Sequence, residues 1–154
     1  MSNSYTSLAY HVVFSTKYRK PTLSSEVRGE TYSYIAGIIA NKDGQLLEIG
    51  GIEDHVHILT ACSPRIALAD LVRDIKANSS KWLHQEKHRN DFGWQTGYAA
   101  LTVSTSQVAA VREYIRGQAE HHRKRSFEEE FRAILQRHGI AFDEKYLFDD
   151  EHHG

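Results

Sequence analysis

One cysteine in 154 residues, Cys62, excludes an intramolecular disulfide framework and argues against a structural zinc cage. Prolines are as scarce, numbering two, and no Pro/Gly-rich linker, internal repeat or low-complexity run divides the chain. No apolar stretch approaches the roughly 20 residues that span a bilayer, and no basic-then-apolar signal segment opens the sequence. These absences lead us to expect a cytoplasmic protein with a reduced thiol and no membrane partner. Charge of one sign is also missing: the formal net charge is −1. Neither a strongly basic nucleic-acid binder nor a highly acidic disordered chain fits that balance.

What is present fits one globular domain, with 40% hydrophobic and 25% charged residues. The charge is unevenly spread. Asp143, Glu144, Asp149, Asp150 and Glu151 crowd the C-terminus against Lys145 alone, so residues 1–142 read as a mildly basic domain and 143–154 as an acidic tail. A mildly basic body permits a DNA partner without demanding one.

Leu8, Tyr10, Val12 and Phe14 alternate with Ala9, His11 and Val13, the period-2 signature of a strand. A helix capped by Ser24 or Ser25 follows, with Val27, Thr31, Tyr34, Ile35, Ile38 and Ile39 on one stripe, and it stops at Asn41–Gly44. Strands are expected near 45–52 and 55–62, then a helical region from Pro64 to about His88. A fourth strand is expected over 94–104. A third helix runs from Ser106 through Ala119, and a last one begins at Ser126, where Glu129 completes a capping box, and ends at Gly139. The order β-α-β-β-α-β plus two helices specifies an α+β fold, the ferredoxin-like or RRM-like split β-α-β with a four-stranded antiparallel sheet.

Two groups of residues carry chemistry. His55 and His57 stand at i and i+2 of a strand, so both imidazoles leave one face and can chelate one divalent ion. Alone, the pair reads more readily as an ordinary half-exposed strand that carries two histidines. A chain this short cannot form the barrel of roughly 250 residues that houses one common His-x-His site. Tyr114 and Gln118, four apart on the third helix, share a face beside Val111 and Ile115. Alone, they read as an edge core residue and ordinary helix surface. Gly117 weakens that helix by about 1 kcal/mol relative to alanine.

Together, the strand His-hydrophobic-His and the helix Tyr114-Ile115-x-x-Gln118 resemble the single-tyrosine HUH transposases of bacterial insertion sequences, the TnpA type, and their relatives associated with repetitive extragenic palindromes. The resemblance extends through Tyr10–Arg19, Asp54–Leu59, Gly97–Ala100 and His121–Arg125. Gly117 stands where many members carry Asn. That leaves the Tyr and Gln positions intact and withholds any contribution of the Asn side chain.

The resemblance implies that His55, His57 and Gln118 hold a divalent metal, Mg²⁺ or Mn²⁺, and that Tyr114 is the nucleophile. It further implies metal-assisted cleavage and rejoining of single-stranded DNA at hairpins through a 5′-phosphotyrosine, without a nucleotide cofactor, by a homodimer with composite sites. Lys17, Arg19, Lys20, Arg73, Lys76 and Arg123 are the candidate DNA contacts, since phosphates need such side chains. Two alternatives stay open at this stage. One is a non-catalytic nucleic-acid-binding module stacking bases on Tyr10 and Phe14. The other is a small HUH replication initiator or relaxase.

Overall fold

The computed structural model describes residues 4–122 and 124–148, so Arg123 and the acids Asp149, Asp150 and Glu151 lie outside the described residues. Its strands are β1 (Ala9–Ser15), β2 (Gln45–Ile52), β3 (His55–Ala61) and β4 (Ala99–Thr102). Its helices are α1 (Ser25–Asn41), α2 (Leu68–Glu86), α3 (Val108–Arg116), α4 (Gln118–His121) and α5 (Phe127–Arg137). The four strands form one antiparallel sheet in the order β2-β3-β1-β4, the expected α+β arrangement. Among the described residues, no helix is long and apolar enough to cross a membrane.

Because side chains alternate along a strand, the sheet has two faces and each needs its own cover. One face presents Val12, Phe14, Val56 and Ile58, buried against Val27, Ile35 and Ile39 of α1 and Leu71, Val72, Ile75 and Leu83 of α2. The other presents Val13, Ala99 and Leu101 to Phe127, Phe131, Ile134 and Leu135 of α5, with Phe148 closing the cluster. The histidines occupy this second face. In register, Val13 stands opposite His57 and Ser15 opposite His55.

Three boundaries differ from the sequence expectation. The fourth strand is only Ala99–Thr102, with Trp94 reaching β1 through an isolated bridge to Thr16. The cause is local. The Trp94 indole turns into the core to donate to Ser79 Oγ at 3.0 Å, and the carbonyls of Gln95 and Gly97 accept from the Lys76 ammonium at 2.9 and 2.6 Å. The second helix starts at Leu68, after a turn through Pro64. The third helix is not continuous: it ends at Arg116, Gly117 adopts φ −88°, ψ 16°, and α4 starts at Gln118. Glycine, the poorest helix former after proline, sits where the axis breaks. The capping box at the start of α5 is formed in both directions: Glu129 N donates to Ser126 Oγ, and Ser126 N to Glu129 Oε1.

Gly50 decides how closely the helices approach the sheet. It lies in β2 opposite His57, and a Cβ there would fall 2.8 Å from the Ile115 carbonyl oxygen and 2.9 Å from Ile115 Cγ2. The absent side chain is the notch into which α3 settles. Gly50→Ala is therefore expected to destabilise the protein by about 1–3 kcal/mol, by overpacking. Gly29→Ala, in α1 with nothing within 4 Å, is expected to stabilise it by about 0.4–1 kcal/mol. Urea unfolding of both variants checks the opposed signs, and two shifts in the same direction would defeat the steric account.

Candidate active site

β3 begins at His55, so its first and third residues leave the sheet together on the face covered by α3, α4 and α5. Both imidazoles are wholly buried. The ring nitrogens are already oriented. His55 Nδ1 lies 2.8 Å from Asp54 Oδ1, and its Nε2 lies 2.8 Å from Gln118 Oε1. His57 Nδ1 lies 2.8 Å from His11 Nε2, which aims His57 Nε2 at Glu130 Oε1, 3.1 Å away. A second partner of this kind fixes the tautomer and direction of a metal-binding histidine.

Across from the histidines, α3 brings Tyr114 and α4 opens with Gln118, so the break at Gly117 leaves both side chains on the site. Gln118 is buried, and its amide nitrogen donates to Glu130 Oε2 at 3.2 Å. The Tyr114 hydroxyl donates to the same Oε2. His122 Nε2 completes the cluster, 3.0 Å from Glu130 Oε1 and 3.1 Å from Gln118 Oε1. His55, His57, Tyr114 and Gln118, the four residues singled out in the sequence, thus lie in one cluster within a single chain.

Sequence reasoning missed the centre of that cluster. Glu130 has no solvent exposure and touches every other member. A signal existed: Phe127, Glu130, Phe131 and Ile134 follow helical i, i+3, i+4, i+7 spacing, so one acid of the run Glu128–Glu130 falls on the buried stripe. His11 and His122 had appeared only within longer matching segments. Among the described residues, His55, His122 and Glu130 bring one donor atom each within 4.8 Å of one another, a spacing able to hold a metal ion.

The electrostatics follow from burial and that carboxylate. Burial alone would raise the Glu130 carboxyl. Hydrogen bonds from His122 and His57, the field of His57 and the Tyr114 hydroxyl outweigh it and hold Glu130 ionised, well below the usual carboxylate range. Burial lowers the His57 imidazole against the pull of Glu130, and it lowers His11, with His57 beside it, to about 3. Without an ion, a neutral His57 that donates from Nε2 to Glu130 accepts at Nδ1 from His11 Nε2–H; a metal at Nε2 would need the opposite tautomer, with His11 accepting from Nδ1–H. Tyr114 is raised above the ordinary phenol value, first by burial and then by Glu130, so its hydroxyl is a firm donor in the absence of an ion.

The candidate DNA contacts separate into two sets. Lys17 and Lys20 are exposed on the turn after β1, their ammonium groups 5.4 and 5.7 Å from the centre of the Tyr18 ring. Arg73 is exposed on α2 and bonded to Asp70 at 3.0 Å. Arg19 is instead folded inward, its side chain 8% exposed, 3.5 Å from Glu128 and stacked on Phe148. Lys76 ties the segment before β4 to α2, with its ammonium also 5.0 Å from the Phe14 ring. Beside Tyr114, a groove of about 500 Å³ opens between His11, Leu101, Val111, Ile134 and Arg137.

A family model described as IS200-like transposase matches residues 4–118. The transposase of insertion sequence element IS200 from Salmonella typhimurium is 30% identical over 117 residues, covering 72% of this chain and 76% of that protein. The ISDra2 transposase TnpA of Deinococcus radiodurans is 29% identical over 117 residues, covering 72% and 84%. Among solved structures, a protein described as a transposase of Deinococcus radiodurans R1 superposes with a TM-score of 0.62 at 26% identity, covering 77% of this chain and 95% of that one. A REP-associated tyrosine transposase bound to a REP hairpin shares the fold, with a TM-score of 0.60 at 12% identity over 79% and 73% of the two chains. The family model spans well over half of the sequence, and the chain belongs to the IS200-like family of DNA transposases.

Proposed function

We propose that this transposase cleaves and rejoins single-stranded DNA at hairpin-marked sites, with Tyr114 as nucleophile beside a divalent ion held by His55, His57 and Gln118. One observation carries the reading. The Tyr114 hydroxyl, His57 Nε2 and the Gln118 amide converge within hydrogen-bonding reach of a single buried carboxylate, with His55 Nε2 3.6 Å from it. The donor set fits Mg²⁺ or Mn²⁺: borderline imidazole nitrogens, a neutral amide oxygen and a hard anionic oxygen alongside. Bound there, such an ion would act as a Lewis acid on the scissile phosphate.

The residues themselves account for the rest. Tyr114 attacks phosphorus, a Tyr–O–P bond forms, the P–O3′ bond breaks, and the strand leaves with a 3′-hydroxyl. The phenolic proton lies on the bond to Glu130 Oε2, so deprotonation has an acceptor in place. A phenolate also leaves readily, so attack by a 3′-hydroxyl reverses the step and rejoins DNA with no nucleotide cofactor. The groove beside Tyr114, with Arg137 on its rim, offers the strand a path to the nucleophile. Lys17, Lys20 and Arg73 remain exposed for phosphate contacts. A hairpin as target is supported by the fold shared with a transposase seen on a REP hairpin. A homodimer, the state the family resemblance implies, would bring two such sites together.

The non-catalytic alternative loses its platform: Phe14 is fully buried and Tyr10 packs against the same core under α1 and α2. Tyr114→Phe is expected to abolish the covalent adduct with labelled single-stranded hairpins in Mn²⁺ on denaturing gels while leaving hairpin binding nearly unchanged. Equal loss of both would reject Tyr114 as nucleophile. His57→Ala should abolish chelator-sensitive cleavage, and full activity in that variant would reject the metal site. Asp54→Asn, which weakens the partner of His55 Nδ1, should lower Mn²⁺ affinity by about 10–100-fold in a calorimetric titration; an unchanged affinity would show that Asp54 has no orienting role.

A further inference from the structure

The three ligands named above are all neutral, yet the ion they would hold carries two positive charges in a pocket without solvent exposure. We propose that Glu130 is a direct ligand of that ion as well as the anchor of the nucleophile: Oε1 enters the coordination shell and Oε2 holds the Tyr114 hydroxyl beside it. The inference rests on reading His55, His57 and Gln118 as a metal site.

Geometry carries it. Glu130 Oε1 lies 3.1 Å from His57 Nε2, 3.6 Å from His55 Nε2 and 3.0 Å from His122 Nε2. Gln118 Oε1 lies 2.8 Å from His55 Nε2. Neighbouring ligands of an octahedral ion with bonds of about 2.1 Å stand about 3 Å apart, so these spacings suit atoms that share one ion. The two oxygens of Glu130 divide the work: one faces the imidazoles, the other faces Tyr114 and the Gln118 amide nitrogen.

Chemistry agrees. A charged group on the buried stripe of an amphipathic helix is costly unless fully compensated, and an apolar residue of similar size there is often neutral or stabilising. Phe127, Phe131 and Ile134 show what that stripe otherwise holds. An acid at position 130 therefore serves something other than the packing of α5, and charge balance for a divalent cation supplies the reason. A carboxylate in the shell also sets metal preference, because hard anionic oxygen favours Mn²⁺ and Mg²⁺ over softer ions. Glu130 and His122 both lie beyond residue 118, where the match to the family model stops.

The test is Mn²⁺ and Zn²⁺ binding to the full chain, read by the electron paramagnetic resonance of free Mn²⁺ and by competition, for wild type, Glu130→Gln and His57→Ala. Circular dichroism reports whether each variant is folded. Glu130→Gln is expected to weaken Mn²⁺ by at least about tenfold and to weaken Zn²⁺ less, lowering the Mn²⁺/Zn²⁺ affinity ratio. A loss of equal size for both metals would reflect disturbed packing and overturn the proposal. Wild-type affinity in Glu130→Gln with binding abolished in His57→Ala would also overturn it while leaving the metal reading intact. Absence of Mn²⁺ binding in wild type would remove both. Should Glu130→Gln fail to fold, anomalous scattering from wild-type crystals in MnCl₂ decides: an ion about 2.2 Å from Glu130 Oε1 supports the assignment, and an ion outside bonding distance of it overturns the assignment.

Discussion

A carboxylate sealed from water must be surrounded by donors, and in this protein that requirement binds four separate elements into one object. Glu130 of α5 is met by His57 of β3, Tyr114 of α3, Gln118 of α4 and His122 just after α4. None of these contacts is local in sequence except the last. Each partner left without Glu130 would itself be a buried polar group lacking a bond, so the cluster stands or falls as a unit. That interdependence fixes side-chain directions more firmly than any single hydrogen bond of about 1 kcal/mol net could.

The sheet makes such a cluster affordable by dividing its labour. The face under α1 and α2 is continuous hydrocarbon and supplies cohesion. The opposite face carries hydrocarbon toward β4 and α5 and polar groups toward β3, where the helices bring their own donors and acceptors. The second face tolerates a polar heart because the first does not need to share it. Gly50 sets the depth, since α3 reaches the histidines only where β2 offers no side chain.

Much of this was legible in the chain. Strict alternation in β3 puts two imidazoles on one face whatever the rest of the fold does, and i, i+4 spacing does the same for Tyr114 and Gln118, even across the break at Gly117. Element order was likewise readable, because hydrophobic period changes are robust to misplaced ends. Tertiary exchanges were not. Whether Lys76 and Arg19 meet phosphate or protein depends on distant partners, the carbonyls of Gln95 and Gly97 and the side chains of Glu128 and Phe148, which no local pattern announces. The short fourth strand has the same origin, since a lysine from another element takes the carbonyls a ladder would have used. Glu130 lay between these cases: its helical phase marked it as inward-facing, but of the three consecutive acids at the helix start only Glu129 carried a sequence signal, that of the capping box.

Kinship and architecture end at different places along this polypeptide. Similarity to the family model stops at residue 118, but the apolar cover of Val13, Ala99 and Leu101 comes from Phe127, Phe131, Ile134, Leu135 and Phe148. A chain cut at the edge of recognisable ancestry would bare half of a sheet and leave the histidines facing water. The matched portion carries the four residues proposed for the reaction, while the apolar cover over their face of the sheet extends to Phe148. Any dissection of this protein into a minimal unit has to follow the second boundary.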